Sequence, residues 1–308
     1  MNTISFNSHA RALVLAGAGA AGNAWQIGIV AGLAEHGVDL TLAELVIGTS
    51  AGSTAAAMIT SGTLPADLYA ATQAEMAPQR PQDGPTHGSR PGVGASRATM
   101  SATEYMAWSD EIIAVSVDAA DWRRRMSAAV LERDAPDDEA SRRWHDTVAA
   151  RLPSQEWPQQ RVLITAVDAR TAHPVVFDRD SGIRLADAVA ASTSNGTAGT
   201  YHLGDKRYLN GAYRRSSNAD LAAGYERVLV LDPFGGRSRT PLDWGMDLDT
   251  QVSELRAAGS VIETVFPDAG AGDVFNASAA DPSTRPQAAR GGYEQGRALA
   301  EALAEFWG

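Results

Sequence analysis

Cysteine is absent from the 308 residues, which excludes disulfides, thiolate metal sites and a cysteine nucleophile and leaves redox usage silent on compartment. Clustered cations are missing as well. With a formal charge of −11 and a pI near 5.0, the chain has nothing with which to bind nucleic-acid phosphates, so no nucleic-acid partner is expected. A continuous apolar helix is also lacking. The run 12–34 is apolar enough to resemble a signal peptide or a membrane span. Gly17, Gly19, Gly22, Gly28 and Gly32, with Asn23 and Gln26, interrupt it, and no positive cluster precedes it. A cytoplasmic protein is the expectation. Finally, no histidine follows His202.

What is present is an α/β alternation. An apolar content of 44% over this length supplies a core for one large domain spanning 1–308. Apolar runs at 11–16 and 45–47 read as buried parallel strands. They are followed by helices at 25–36, capped by Gly37, and at about 53–61, with a further helix opened by Pro65 and Asp67. Residues 77–98 form a Pro/Gly-rich loop, read either as a lid or as a plain connection. From 101 to 151 the pattern is helical and reads as an insertion or cap whose aromatic residues pack against the sheet. Strands are expected again at 162–167, 175–177, 227–231 and 261–266, and helices at 185–191, 244–258 and 285–306. This is the order of a doubly wound sheet.

The sharpest local feature is Gly48-Thr49-Ser50-Ala51-Gly52, directly behind the apolar Leu45-Val46-Ile47. Small residues on either side of Ser50 permit a tight strand-to-helix turn that leaves a serine hydroxyl exposed at the strand's carboxyl end. The following helix would point its positive end at an oxyanion forming there. A tight turn without chemistry fits the same five residues.

In front of it lies Gly17-Ala18-Gly19-Ala20-Ala21-Gly22. Such a loop serves dinucleotide folds, oxyanion holes and close strand–helix packing alike. A dinucleotide-binding oxidoreductase would want an acidic residue at the end of the second strand. Asp39 has about the right spacing but precedes that strand, whose end is taken by the serine turn. The loop is better read as unhindered N–H groups of Gly17, Ala18 and Gly19 beside Ser50, each donor to an oxyanion contributing on the order of 3 kcal/mol.

A nucleophilic serine needs a base. The serine, acid, histidine order of α/β-hydrolases is excluded, because the serine sits on the second strand and no histidine follows His202. His202 itself reads as a solvated loop residue, Asp205 as part of a turn, and Asp187 and Asp220 as helix-start carboxylates.

Taken together, the glycine loop 17–22, the turn 48–52, and Tyr208-Leu209-Asn210-Gly211-Ala212 followed by Asn218-Ala219-Asp220-Leu221 resemble the bacterial patatin-like phospholipase family. The resemblance implies a three-layer α/β/α fold with a mostly parallel central sheet. It implies a Ser-Asp dyad that cleaves acyl esters of lipids without metal, cofactor or histidine, with a lipid or small ester as substrate and transient contact with a membrane surface. Carried over by position, Ser50 is the nucleophile, Gly17, Ala18 and Gly19 form the oxyanion hole, and Gly22, Gly48, Gly52 and Gly211 are the motif glycines.

Asn210 stands where the family has aspartate. An amide does not accept the serine proton at neutral pH, and losing a general base costs a factor of about 10² to 10⁴ in rate. A laboratory substitution made to trap substrate, a natural variant with another base, and a natural relative that binds lipid and scarcely cleaves it are the alternatives this leaves open. Asn-Gly is also the dipeptide most prone to deamidation, which would supply aspartate at 210.

Overall fold

Among the described residues, eight strands assemble into one sheet in the order 201–203, 206–210, 161–168, 45–48, 11–15, 227–231, 261–265, with 173–177 beside 161–168. The computed structural model describes residues 10–74, 100–134, 138–197, 199–276 and 278–308. The Pro/Gly-rich stretch 77–98 lies outside them. Strands β1 (Arg11–Leu15), β2 (Leu45–Gly48), β3 (Arg161–Asp168), β7 (Arg227–Leu231) and β8 (Val261–Val265) run parallel. Strands β4 (His173–Phe177), β5 (Tyr201–Leu203) and β6 (Lys206–Asn210) add antiparallel pairings.

Helices cover both faces, because the apolar strands present alternate side chains to each. Leu13 and Leu15 face α1 (Gly19–Glu35), α2 (Ala51–Ile59), α3 (Pro65–Ala74), α7 (Leu185–Thr193) and α9 (Arg285–Trp307); Ala12 and Val14 face α8 (Leu248–Ala257). The result is the three-layer α/β/α arrangement. The apolar run 12–34 that resembles a membrane span is strand plus buried helix, and no helix among the described residues is long and apolar enough to cross a membrane.

Helices α4 (Ala102–Ala114), α5 (Ala119–Leu131) and α6 (Glu139–Ala149) occupy the stretch read as helical from sequence. Trp122, Met126 and Val130 of α5 pack on Val167, Leu209 and Tyr213.

Three local readings need correction. Helix α1 begins at Gly19, not near Trp25, so the glycine-rich segment is its first turns, and Ala18 precedes it without a side-chain cap. Helix α8 starts at Leu248 instead of 244, because Gly245 at φ 63° interrupts the chain after a short 3-10 turn. The region 201–210 is a hairpin turning at Gly204 and Asp205. His202 therefore sits in a strand. Its side chain is buried, with Nδ1 at 2.7 Å from Asp138 Oδ1 and Nε2 at 3.3 Å from Asp134 Oδ2.

Pairing along β3 places the candidate site. Ile164 lies opposite both Gly48 and Phe177, and Ala166 opposite both Asn210 and Val175. Strand β4 thus holds one edge of β3 while β2 and β6 share the other, running toward each other. Their carboxyl ends meet beside Thr165, which is how positions far apart in sequence come together.

Candidate active site

Ser50 ends the turn after β2 with φ 54° and ψ −126°, a positive φ that a residue with a Cβ seldom adopts. Such a conformation costs on the order of 1–3 kcal/mol and persists only where its surroundings enforce it. They do so here. Thr49 N–H donates to Leu15 O at 3.0 Å, Ser50 N–H to Ser192 Oγ at 2.9 Å, and Ser53 N–H to Ser50 O at 2.8 Å. A Cβ on Gly52 would stand 2.0 Å from Leu15 O, so only glycine lets α2 start this close to β1. Gly48 and Gly211 are likewise packed against Ser53 and Thr165, and Gly22 against Ala18.

Asn210, at the end of β6, is buried and reaches Ser50: its Nδ2–H donates to Ser50 Oγ at 2.8 Å. The amide is oriented by its own backbone, since Ala212 N–H donates to Oδ1 at 2.9 Å and an N–H can be received only by the oxygen. Underneath, Asn218 Nδ2 meets Thr49 Oγ1 at 2.9 Å, Thr165 Oγ1 at 3.1 Å and Gly211 O at 3.1 Å, tying the two turns together.

The glycine loop lies against the serine. A Cβ on Gly17 would meet Ser50 Cβ at 2.6 Å and Ser50 Oγ at 3.2 Å. Ala16 N–H is used by Leu231 O and Ala21 N–H by Ala279 O. Among the described residues, no acceptor engages the N–H groups of Gly17, Ala18 and Gly19. Ser50, Asn210 and these three residues share one cavity of about 290 Å³.

The rest of its wall was not foreseen from sequence. Tyr105 and Trp122, from α4 and α5, line it as well as packing against the sheet side, with Ile113, Tyr213, Phe234, Arg237 and Arg239. Tyr105 and Tyr213 share a hydrogen bond between their hydroxyls, and Tyr213 donates onward to Asn195 O at 2.9 Å. Burial raises the pKa of both phenols. Arg237 donates from Nε to Phe234 O at 2.8 Å and from Nη2 to Phe275 O at 3.0 Å, while Arg239 pairs with Asp110. The one signal that could have found these arginines is position: they follow β7, at the same carboxyl end of the parallel sheet as Ser50.

Among the described residues, no carboxylate and no imidazole lines the cavity. The other candidate bases are engaged elsewhere. Asp187 is buried against Arg184 Nε (2.7 Å) and Tyr201 OH (2.6 Å), and Asp220 receives Arg214 at 2.8 and 2.6 Å. Asp39 caps a 3-10 turn through Thr41 N–H, before β2 and not at its end, so the ribose-binding carboxylate of a dinucleotide site is missing.

A search of solved structures finds VipD from Legionella pneumophila at TM-score 0.45 and 12% sequence identity, over 96% of this chain and 67% of that one. No curated protein sequence matches the chain. The patatin-like phospholipase family matches over residues 13–223, from β1 through the Asn218 turn, which covers the serine turn, the glycine loop and Asn210. The chain belongs to the patatin-like phospholipase family.

Proposed function

We propose that the protein is a serine hydrolase of lipid acyl esters in which Ser50 is the nucleophile and turnover is slowed by Asn210. The observation that carries this reading is the meeting of Ser50 Oγ and Asn210 Nδ2 at 2.8 Å in a cavity bordered by three N–H groups that meet no acceptor among the described residues. Ser50 Oγ would attack the acyl carbonyl, and the N–H groups of Gly17, Ala18 and Gly19, aided by the amino end of α2, would receive the oxyanion. Collapse of the oxyanion would break the substrate's C–O bond and release the alcohol, protonated from solvent, and water would then cleave the acyl-Ser50 ester to free the acid and restore the serine. With no carboxylate at 210, the serine proton passes to solvent instead of to a fixed base, which is the slow step.

The cavity is at the low end of the ~300–1,000 Å³ usual for small-molecule sites, which suits one acyl chain with the rest of the lipid outside. Exposed Met106 and Leu242 lie near Arg239, whose Nη2 reaches Met106 O at 2.7 Å, and they fit transient contact with a membrane surface. Strand β8 pairs with β7 and α9 packs on α1, which favours reading 1–308 as a single domain with 101–151 as its helical cap.

Hydrolysis of short-chain nitrophenyl esters tests the assignment. The parent protein is expected to turn over slowly and Ser50→Ala not at all; equal rates would remove Ser50 from the reaction. A parent that binds ester lipid but shows no Ser50-dependent cleavage would favour the second reading, a lipid-binding relative, to which the donor role of Asn210 already lends support.

A further inference from the structure

The polar groups around Ser50 present hydrogens. Asn210 Oδ1 is spent on Ala212 N–H, so its side of the cavity offers only the amide N–H groups. Because Asn210 donates to Ser50 Oγ, the Ser50 hydroxyl hydrogen is left free of Asn210 and available to a ligand oxygen in the cavity that Ser50 lines. The N–H groups of Gly17, Ala18 and Gly19 find no acceptor among the described residues. Arg237 adds a cation held in place through two of its nitrogens. No carboxylate lines the wall among the described residues. A neutral ester gives such a site one strong acceptor, its carbonyl oxygen, whereas a carboxylate gives two oxygens and a full negative charge.

We propose that the Ser50 cavity is a receptor for a fatty-acid anion. One carboxylate oxygen is held by the N–H groups of the 17–19 loop and the other by the Ser50 hydroxyl. Arg237 supplies the countercharge, and the chain lies along Ile113, Trp122, Phe234 and Met246. The inference rests on the reading that acyl groups bind at Ser50, and it extends that reading to the product. An aspartate at 210 would set a negative charge beside the acid it had just released and help expel it. An asparagine removes that repulsion. The substitution that slows cleavage therefore also turns a site that sheds acid into one that retains it.

Titration calorimetry of the full chain with decanoate and with 1-decanol, an uncharged and unreactive chain of the same length, tests this. The parent is expected to bind decanoate at least tenfold more tightly than decanol, a comparison that needs no variant. Asn210→Asp is expected to lose that preference while its decanol affinity stays within twofold, which also reports that the cavity is intact. Equal affinity of the parent for both ligands, or an unchanged decanoate preference in Asn210→Asp, would overturn the proposal. Acid selectivity in a parent without esterase activity would uphold the receptor and remove the slow hydrolase. Esterase activity without acid selectivity would do the reverse.

Discussion

Between Asn210 and Ser50 the direction of one hydrogen bond decides the chemistry. A carboxylate at 210 could accept Ala212 N–H with one oxygen and the serine proton with the other, pulling electron density onto the nucleophile. The amide keeps the first contact and reverses the second, so it donates to Ser50 Oγ and takes no proton from it. A second residue with an unusual proton balance is Asp232, just past β7 and nearly fully buried. Burial pushes its pKa up to about 6, against the opposing N–H contacts of Phe234 and Gly236. Its folded value lies above the ordinary 3.8, so the native state binds more protons than the unfolded chain across that interval. The favourable contribution is complete at low pH and is lost as pH rises through about 6. Asp232→Asn retains an acceptor for Phe234 N–H and has no charge to bury. It is predicted to be more stabilising near pH 7 than near pH 4, by roughly 2 kcal/mol. Denaturant titrations of both proteins at the two pH values check this, and a pH-independent difference would refute it.

At the scale of elements, α1 and α9 approach backbone to backbone. A Cβ on Gly28 would lie 2.2 Å from Ala289 O, and one on Gly292 would lie 2.3 Å from Trp25 O. Trp25 Nε1–H also donates to Gln295 Oε1 at 2.9 Å, locking the pair behind the glycine loop. Alanine in place of a mid-helix glycine ordinarily gains about 1 kcal/mol. Here the obstacle is a main-chain oxygen that cannot rotate aside, and overpacking of this kind costs about 1–3 kcal/mol or more. Gly292→Ala is therefore predicted to lower the melting temperature despite its better helix propensity, and a melting temperature at or above the parent's would show that the helices can part cheaply. Close approach also explains why the start of α1 was hidden. Gly19 and Gly22 look like loop residues until the chain packed around them supplies the reason: a Cβ on Gly19 would lie 2.6 Å from Ala279 O and one on Gly22 2.6 Å from Ala18 Cβ. The hairpin of β5 and β6 escaped notice for the opposite reason: three and five residues, with Lys206 and Arg207 in the second strand, carry too little apolar alternation to mark a strand.

Over the whole molecule, the parallel layers were legible because each central strand is a short continuous apolar run between glycines and helices, as Arg11–Leu15 and Arg227–Leu231 illustrate. Ser50, the 17–19 loop and Asn210 were legible as motifs. Their contact was not, since it depends on β2 and β6 ending head to head along β3, a matter of sheet order that no local pattern carries. The arginine wall was invisible for the same reason. Arg237 and Arg239 line the same cavity as the serine because β7 adjoins β1. Arg239 is paired with Asp110, which among the described residues leaves Arg237 as the cation of the cavity wall in a chain whose net charge is −11. The account stands on Asn210 occupying the place of a base. The most direct measurement is the initial rate of ester hydrolysis by Asn210→Asp beside the parent, the parent first verified by peptide mass to carry undeamidated asparagine at 210. The predicted result is a rate higher by about 10² to 10⁴ that disappears when Ser50→Ala is added. A variant no faster than the parent would contradict it.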